Sequence, residues 1–294
     1  MNKTWSEANM NGQLVAKRHG GLWRQSVSRV LSVTLLLGLM LCGGLLTASG
    51  ASAAVTALQA WTQRYEAATA NPATIAAQSV SAGSNRLYLV AVGAEYGTAT
   101  ATYTVTATLN GVAVTQLGST NGTSARQHIW LGYIKEANIP AAAGNLSVTV
   151  SGTTSGVQVH TASYQGVDQT TTFNASNFAY TAAVNPVTTA AVAYLNGGAA
   201  VLVADTGSGN TVTAASAPGF TQALLYNSPT NNFFSFWAAN IFAGANGSVA
   251  SGTTVTFTGG ASARAAVAVA ALNPAAGNTT TVGNGTNPGN ATLA

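Results

Sequence analysis

The sequence predicts an all-β protein: an antiparallel β-sandwich, internally duplicated into two Ig-like or jelly-roll-like halves. One larger jelly roll is the alternative arrangement of the same strands. Three observations predict this class. Short runs rich in Val, Ile, Thr, Tyr and Phe recur between clusters of Gly, Asn and Ser, which is the pattern of strands and turns. No long segment carries a helical period with caps. Five strand-like elements also recur in the same order at an offset of about 110 residues, the signature of an internal repeat.

The chain opens on residues that read as a leader rather than as part of this fold. Residues 1–29 form a basic n-region, residues 30–46 (VLSVTLLLGLMLCGGLL) an apolar run, and small residues follow. Ala51 and Ala53 fit an A-x-A signal, placing cleavage between Ala53 and Ala54. An uncleaved membrane anchor is the competing reading, against which Gly43 and Gly44 interrupt the apolar run. The expected localisation is therefore secreted or cell-surface, with membrane contact only through the signal segment before cleavage. Part of the n-region, the MNK start and Val15–Gly20, resembles the extended signals of large bacterial autotransporters and adhesins over fewer than about ten residues.

Residues 54–73 form an N-terminal segment in which Ala54–Ala70 reads equally as a short helix or an edge strand. The first sandwich repeat is expected over 74–173. It carries strand-like runs at Arg86–Ala94, Thr102–Leu109, Gln127–Lys135, Leu146–Val150 and Val157–Tyr164, and Asn110-Gly111 predicts a tight hairpin turn. The second repeat, 174–274, matches these with Val201–Ala204, Thr211–Leu224, Phe233–Phe242, Thr254–Gly260 and Ala263–Leu272. Each unit has the length of a sandwich of about 100 residues. The remainder, 275–294, has linker composition, which suggests either a free tail or a join to further modules of a longer protein.

The formal charge of +4 belongs to the leader, where five basic residues stand against Glu7. Beyond it Arg64, Arg86, Arg126, Lys135 and Arg264 balance Glu66, Glu95, Glu136, Asp168 and Asp205. A nucleic-acid partner, which needs a basic patch to displace counterions, is excluded. The single cysteine, Cys42, also lies in the leader, so the mature region is cysteine-free and forms no disulfide. Near-zero net charge allows copies to approach without repulsion, which fits self-association.

The stock of groups for acid–base chemistry is small: those five carboxylates, His128 and His160. A carboxylate pair drawn from Glu95, Glu136, Asp168 and Asp205, or a set of Ser163, His160 and Asp168, is all that a secreted hydrolase reading can use. Neither lies in a catalytic motif, so no catalytic residue is assigned. No cofactor is expected. Two distant histidines do not make a zinc site. The Asp205–Asn210 loop offers calcium only one carboxylate and reads as a turn. The aromatics are the better binding candidates. Phe233, Phe234, Phe236 and Trp237 are too closely spaced to share one strand face, so Phe234 and Trp237 are named as possible contacts for a surface glycan; a strand buried on both faces is the competing reading. Trp130 and Tyr133 point to opposite faces of their strand and fill the sandwich.

Ser79–Val92 (SVSAGSNRLYLVAV), the Trp130 strand and Ser163–Phe173 (SYQGVDQTTTF) together resemble a family of secreted bacterial β-sandwich domains. These domains carry an opening A-G-S-N-R-L strand and a later G-V-D-Q-T-T. The resemblance spans roughly residues 74–274 and departs at Thr172, where the family places proline. It implies a module of large cell-surface proteins without catalytic activity. On residues alone, Gly83, Ser84 and Asn85 make a turn into a buried strand, and Asp168 caps nearby backbone N–H groups as an Asx-turn. The function expected is a non-enzymatic structural or adhesive module of the bacterial cell surface or matrix, with a carbohydrate-binding module and a hydrolase as the alternatives.

Overall fold

In the computed structural model the described residues are 53–67, 71–181, 187–207, 212–229, 235–250, 253–258 and 264–276. The leader expected from the sequence, through residue 52, with Phe234, the 208–210 part of the candidate calcium loop and the tail from 277, lies outside them.

The architecture is all-β and antiparallel, with several sheets and no closed barrel. The first half runs β1 (Thr56–Ala67), β2 (Ala73–Gln78), β3 (Leu87–Thr100), β4 (Val105–Leu109), β5 (Val112–Ala113), β6 (Thr115–Ser119), β7 (Ala125–Lys135), β8 (Gly144–Val150) and β9 (Thr154–Gln165). The second half runs β10 (Phe173–Thr181), β11 (Val187–Thr188), β12 (Val192–Tyr194), β13 (Ala199–Thr206), β14 (Ala214–Ser216), β15 (Thr221–Asn227), β16 (Ser235–Phe242), β17 (Gly247–Val249), β18 (Thr254–Thr258) and β19 (Ala265–Leu272). Asn110 and Gly111 both adopt positive φ, 48° and 81°, and close the β4–β5 hairpin that the sequence predicts.

Each half contributes one large and one or two small sheets. The large sheets have the orders β1-β9-β3-β7-β6 and β10-β19-β13-β16-β15. These are the same order once each strand is matched to its repeat partner. The small sheets are β2-β8-β4-β5 in the first half, and β11-β18-β14 with β12-β17 in the second. The segment that reads as helix or edge strand is the edge strand β1, paired only with β9.

Strand periodicity explains how the sheets stack. On β3 the even positions Tyr88, Val90, Val92 and Ala94 face β4 and β8 of the first small sheet, forming one core with Trp130 and Leu146. The odd positions Leu87, Leu89 and Ala91 face the other way, against Val201, Val203, Phe236, Ala268 and Ala270 of the second large sheet. The opposite face of that second sheet, with Leu202, Trp237, Val267 and Val269, packs on Val187, Val255 and Phe257. Two sandwiches therefore lie back to back, giving four layers and three cores. Strands β3, β13 and β19 are buried on both faces, as their near-continuous apolar runs require. Each fully buried Leu, Ile or Phe in these cores contributes about 1.5–3 kcal/mol.

The two large sheets meet with a pseudo-twofold relation, the self-complementary arrangement of an isologous dimer built into one chain. Edge strand β1 lies over β15, and its repeat partner β10 lies over β6. Aromatic pairs obey the same exchange: Trp61 of β1 meets Phe236 of β16 at 6.3 Å, and Phe173 of β10 meets Tyr133 of β7 at 4.9 Å. Gly118 of β6 lies so close to Phe178 that a Cβ there would sit 2.3 Å from its ring.

Candidate functional site

The interface between the large sheets changes character along its length. At the end nearest the inter-repeat linker it is apolar, with Leu87, Leu89, Leu131 and Leu272. Toward the other end, the same strand faces continue into Glu95 (β3), Gln127 (β7), Gln158 and His160 (β9), and Asp205 (β13), with Arg264 just before β19. Every one of those five strand residues is buried. This polar end gathers Asp205 and His160, the carboxyl and the imidazole that burial shifts furthest among the described residues, and it is the candidate site.

Glu95 is 2% exposed and pairs with Arg264 across the two halves, while Arg126 stands 3.6 Å away with its side chain 40% exposed. A Cβ at Gly207 would meet Gln127 Oε1 at 2.4 Å and Glu95 Oε2 at 3.1 Å, so these side-chain ends would have to shift to admit one. Burial holds the Asp205 carboxyl well above the usual carboxylate range. The neighbouring Glu95 charge pushes it further up, while the Gln127 amide opposes the shift. His160 stacks on Phe236 at 3.6 Å and 6°, and its Nε2 is 3.1 Å from Gln158 Oε1. Burial pushes its imidazole well below the ordinary histidine range. Glu66 accepts hydrogen bonds from Tyr226 Oη at 2.6 Å and from Ser228 Oγ, and Tyr226 is pushed up to about 12 by its own desolvation and by that carboxylate.

At the opposite end the two quoted motifs meet and clamp the linker. Gly166 N donates to Ser84 O at 3.1 Å, and Val167 N to Asn85 O at 3.0 Å. Asp168 Oδ1 accepts from the N–H groups of Thr170 and Thr171 at 2.6 and 2.9 Å, the Asx-turn the sequence predicts. Gln169 donates to Arg86 O at 3.1 Å and accepts from Glu136 N at 3.0 Å. Glu136 in turn accepts from Arg86 N and Nε at 2.9 and 3.0 Å. Ala53 bridges Ala275, and Val55 N donates to Gly197 O at 2.7 Å, so residues 53–55, the linker and residues 273–275 converge at this end. The close approach of Ala54 O to Gly166, 2.5 Å from where a Cβ would sit, requires glycine at that point, and its φ is +71°.

The residues singled out from sequence are therefore placed as follows. Ser163 Oγ donates to Gln59 Oε1 at 2.8 Å, His160 meets Gln158, and Asp168 caps the linker; the three do not come together. Glu136 and Asp168 serve the clamp, whereas Glu95 and Asp205 share the buried polar end. His128 is buried between Thr120 Oγ1 at 3.0 Å and the carbonyls of Thr100 and Ala125. Trp237 is 1% exposed in the second sandwich core, its Nε1 donating to Gln222 Oε1 at 3.1 Å, so neither ring face is open to a stacked sugar. That is the buried-strand reading of its segment. Trp130 fills the first core, and Tyr133 packs on Phe173 between the halves. Among the described residues no three His, Cys, Asp or Glu side chains are placed to hold a metal, and no helix is long and apolar enough to cross a membrane.

Sequence reasoning missed the clustering of Glu95, Gln127, Asp205 and Arg264. The available signal was the same-face spacing of Leu87, Leu89, Ala91 and Glu95, and of Val201, Val203 and Asp205, with an acid ending each apolar stripe. Comparison of the chain with family models, curated proteins and solved structures finds no match.

Proposed function

We propose that this chain is a secreted, non-enzymatic structural or adhesive module of a bacterial cell surface or matrix, one that works through its surface and its rigidity. One observation carries the reading: all five carboxylates beyond the leader are used in holding the fold. Glu66 and Glu95 join the two halves, Glu136 and Asp168 fix the linker, and Asp205 is sealed in the interface. Both histidines of this region, His128 and His160, are buried as well. A chain that commits its acid–base groups to packing has few left to present to a substrate. The balanced charge of this region supports association between copies or with a surface. The carbohydrate-binding alternative draws no support from Trp237, which is sealed in a core.

The test is sedimentation of the secreted protein over a wide concentration range, alongside adhesion of cells displaying it. Concentration-dependent assembly or adhesion is expected. A protein that stays monomeric and confers no adhesion overturns the reading, and glycan-specific binding would replace it with the carbohydrate alternative.

A further inference from the structure

Two fully buried titratable groups face the interface between the sandwiches, and their demands on protons are opposite. Asp205 lies on β13 and His160 on β9, both without measurable exposure. No hydrogen bond of normal geometry reaches either carboxyl oxygen of Asp205 or Nδ1 of His160. The charged and titratable groups around Asp205 are Glu95 from β3, Arg126 from β7, Arg264 beside β19 and Tyr103 ahead of β4. Both guanidiniums lie against Glu95, so a second carboxylate next to it would be buried without a cation of its own. Around His160 stand Phe236 of β16 and Tyr226 of β15, with Glu66 of β1 bonded to Tyr226, while the Arg64 guanidinium turns to Thr161 on the other face of β9. Glu66 accepts from Tyr226 and Ser228, and among the described residues no carboxylate forms an ion pair with His160, so an imidazolium there would be buried without a salt-bridge partner. A buried ion without a partner is far costlier than its neutral form.

We infer that Asp205 and His160 are a proton-compensated pair: closing the interface takes up one proton at the Asp205 carboxyl and releases one from the His160 imidazole. The directions in which burial moves the two groups agree with this geometry. In the unfolded chain Asp205 titrates near 3.8 and His160 near 6.5. Between those values, unfolding ionises Asp205, which favours the unfolded chain more as pH rises. It also protonates His160, which favours the unfolded chain more as pH falls. The two slopes cancel, so this interface keeps its strength while its surroundings acidify.

The test compares unfolding equilibrium constants of the secreted protein at about pH 5 and about pH 6 for wild type, His160→Gln and Asp205→Asn. The constant of His160→Gln relative to wild type is expected to rise about tenfold per pH unit upward, and that of Asp205→Asn about tenfold per unit downward. His128 is common to all three and drops out of the ratios. A ratio that does not change with pH in either variant overturns the pair. Infrared spectra of the wild-type protein read the same claim directly, without requiring either variant to fold. A protonated carboxyl band at about pH 6 is expected, and its absence overturns the assignment.

Discussion

The first sandwich fills the space between its sheets with Tyr88, Tyr103, Trp130, Leu109 and Leu146, whereas the second sets Trp237, Leu202 and Phe257 among many alanines and valines, Ala200, Ala204, Ala239 and Ala271 included. Strand order is the same in both, and the tryptophans sit at matching places: Trp130 pairs Val92 on β3, and Trp237 pairs Ala204 on β13. The small sheets differ in the same sense, β8 and β4 being seven and five residues long against five and three for β18 and β14. Topology is thus held by pairing and periodicity, while the volume inside it is free to vary. The second half sets Trp237 and Phe257 among small side chains where the first packs several large ones together.

That comparison yields the largest expected effect. Trp130→Ala and Trp237→Ala should each cost about 3–5 kcal/mol, because each empties the centre of a core. The second should cost more by about 1 kcal/mol. Alanines around Trp237 cannot extend into the cavity, whereas Leu and Tyr side chains around Trp130 can partly close it. Denaturant titrations of both variants measure the difference. A cost below about 1 kcal/mol for Trp237→Ala would place that ring at the surface and break the comparison.

A smaller effect tests what joins the halves. Glu95→Ala and Arg264→Ala should each cost about 3 kcal/mol, since each leaves a buried charge without its partner. The double variant should cost clearly less than the two single costs combined. Arg126→Ala should stay under about 1 kcal/mol, because that guanidinium is 40% exposed and 3.6 Å from the carboxylate. Additive single costs would mean that Glu95 and Arg264 do not act as a pair in joining the halves.

Much of this arrangement was legible in the sequence. Turn residues and β-branched runs located the strands, and the ordered repeat located their duplication, because both depend on local chemistry. The stacking was not legible. Arg86–Ala94 reads as a buried strand, but nothing in it says that Leu87 and Leu89 meet the other half while Tyr88 and Val90 meet their own. The polar end was hidden for a related reason: Glu95 and Arg264 are 169 residues apart, and each reads singly as a strand-end charge. The linker motif was half legible. Asp168 announced its own turn, since an Asx-turn is local, but the docking of Gln169 onto Arg86 and Glu136 needed the fold to bring them together.

The linker clamp also supplies the smallest effect, and it separates the two ends of the interface. Partial burial alone would raise the Glu136 carboxyl, but hydrogen bonds from Arg86 N and its guanidinium, together with that positive charge, outweigh it and hold the group below its ordinary value of 4.5. A carboxylate depressed in the folded state stabilises the fold above its unfolded value, and that contribution is lost as pH falls through the folded one. Wild-type thermal stability should therefore decline below about pH 4.5 by a component that Glu136→Gln lacks, while the two proteins run parallel above it. Because Glu136 is only partly buried and its partner is screened by solvent, the component is small. Its disappearance in Glu136→Gln, with the His160 and Asp205 slopes unchanged, would show that the two ends of the interface respond to protons independently. If Glu136→Gln also altered those slopes, the linker clamp and the buried polar end would be one coupled unit, and the halves would part as a whole rather than from one end.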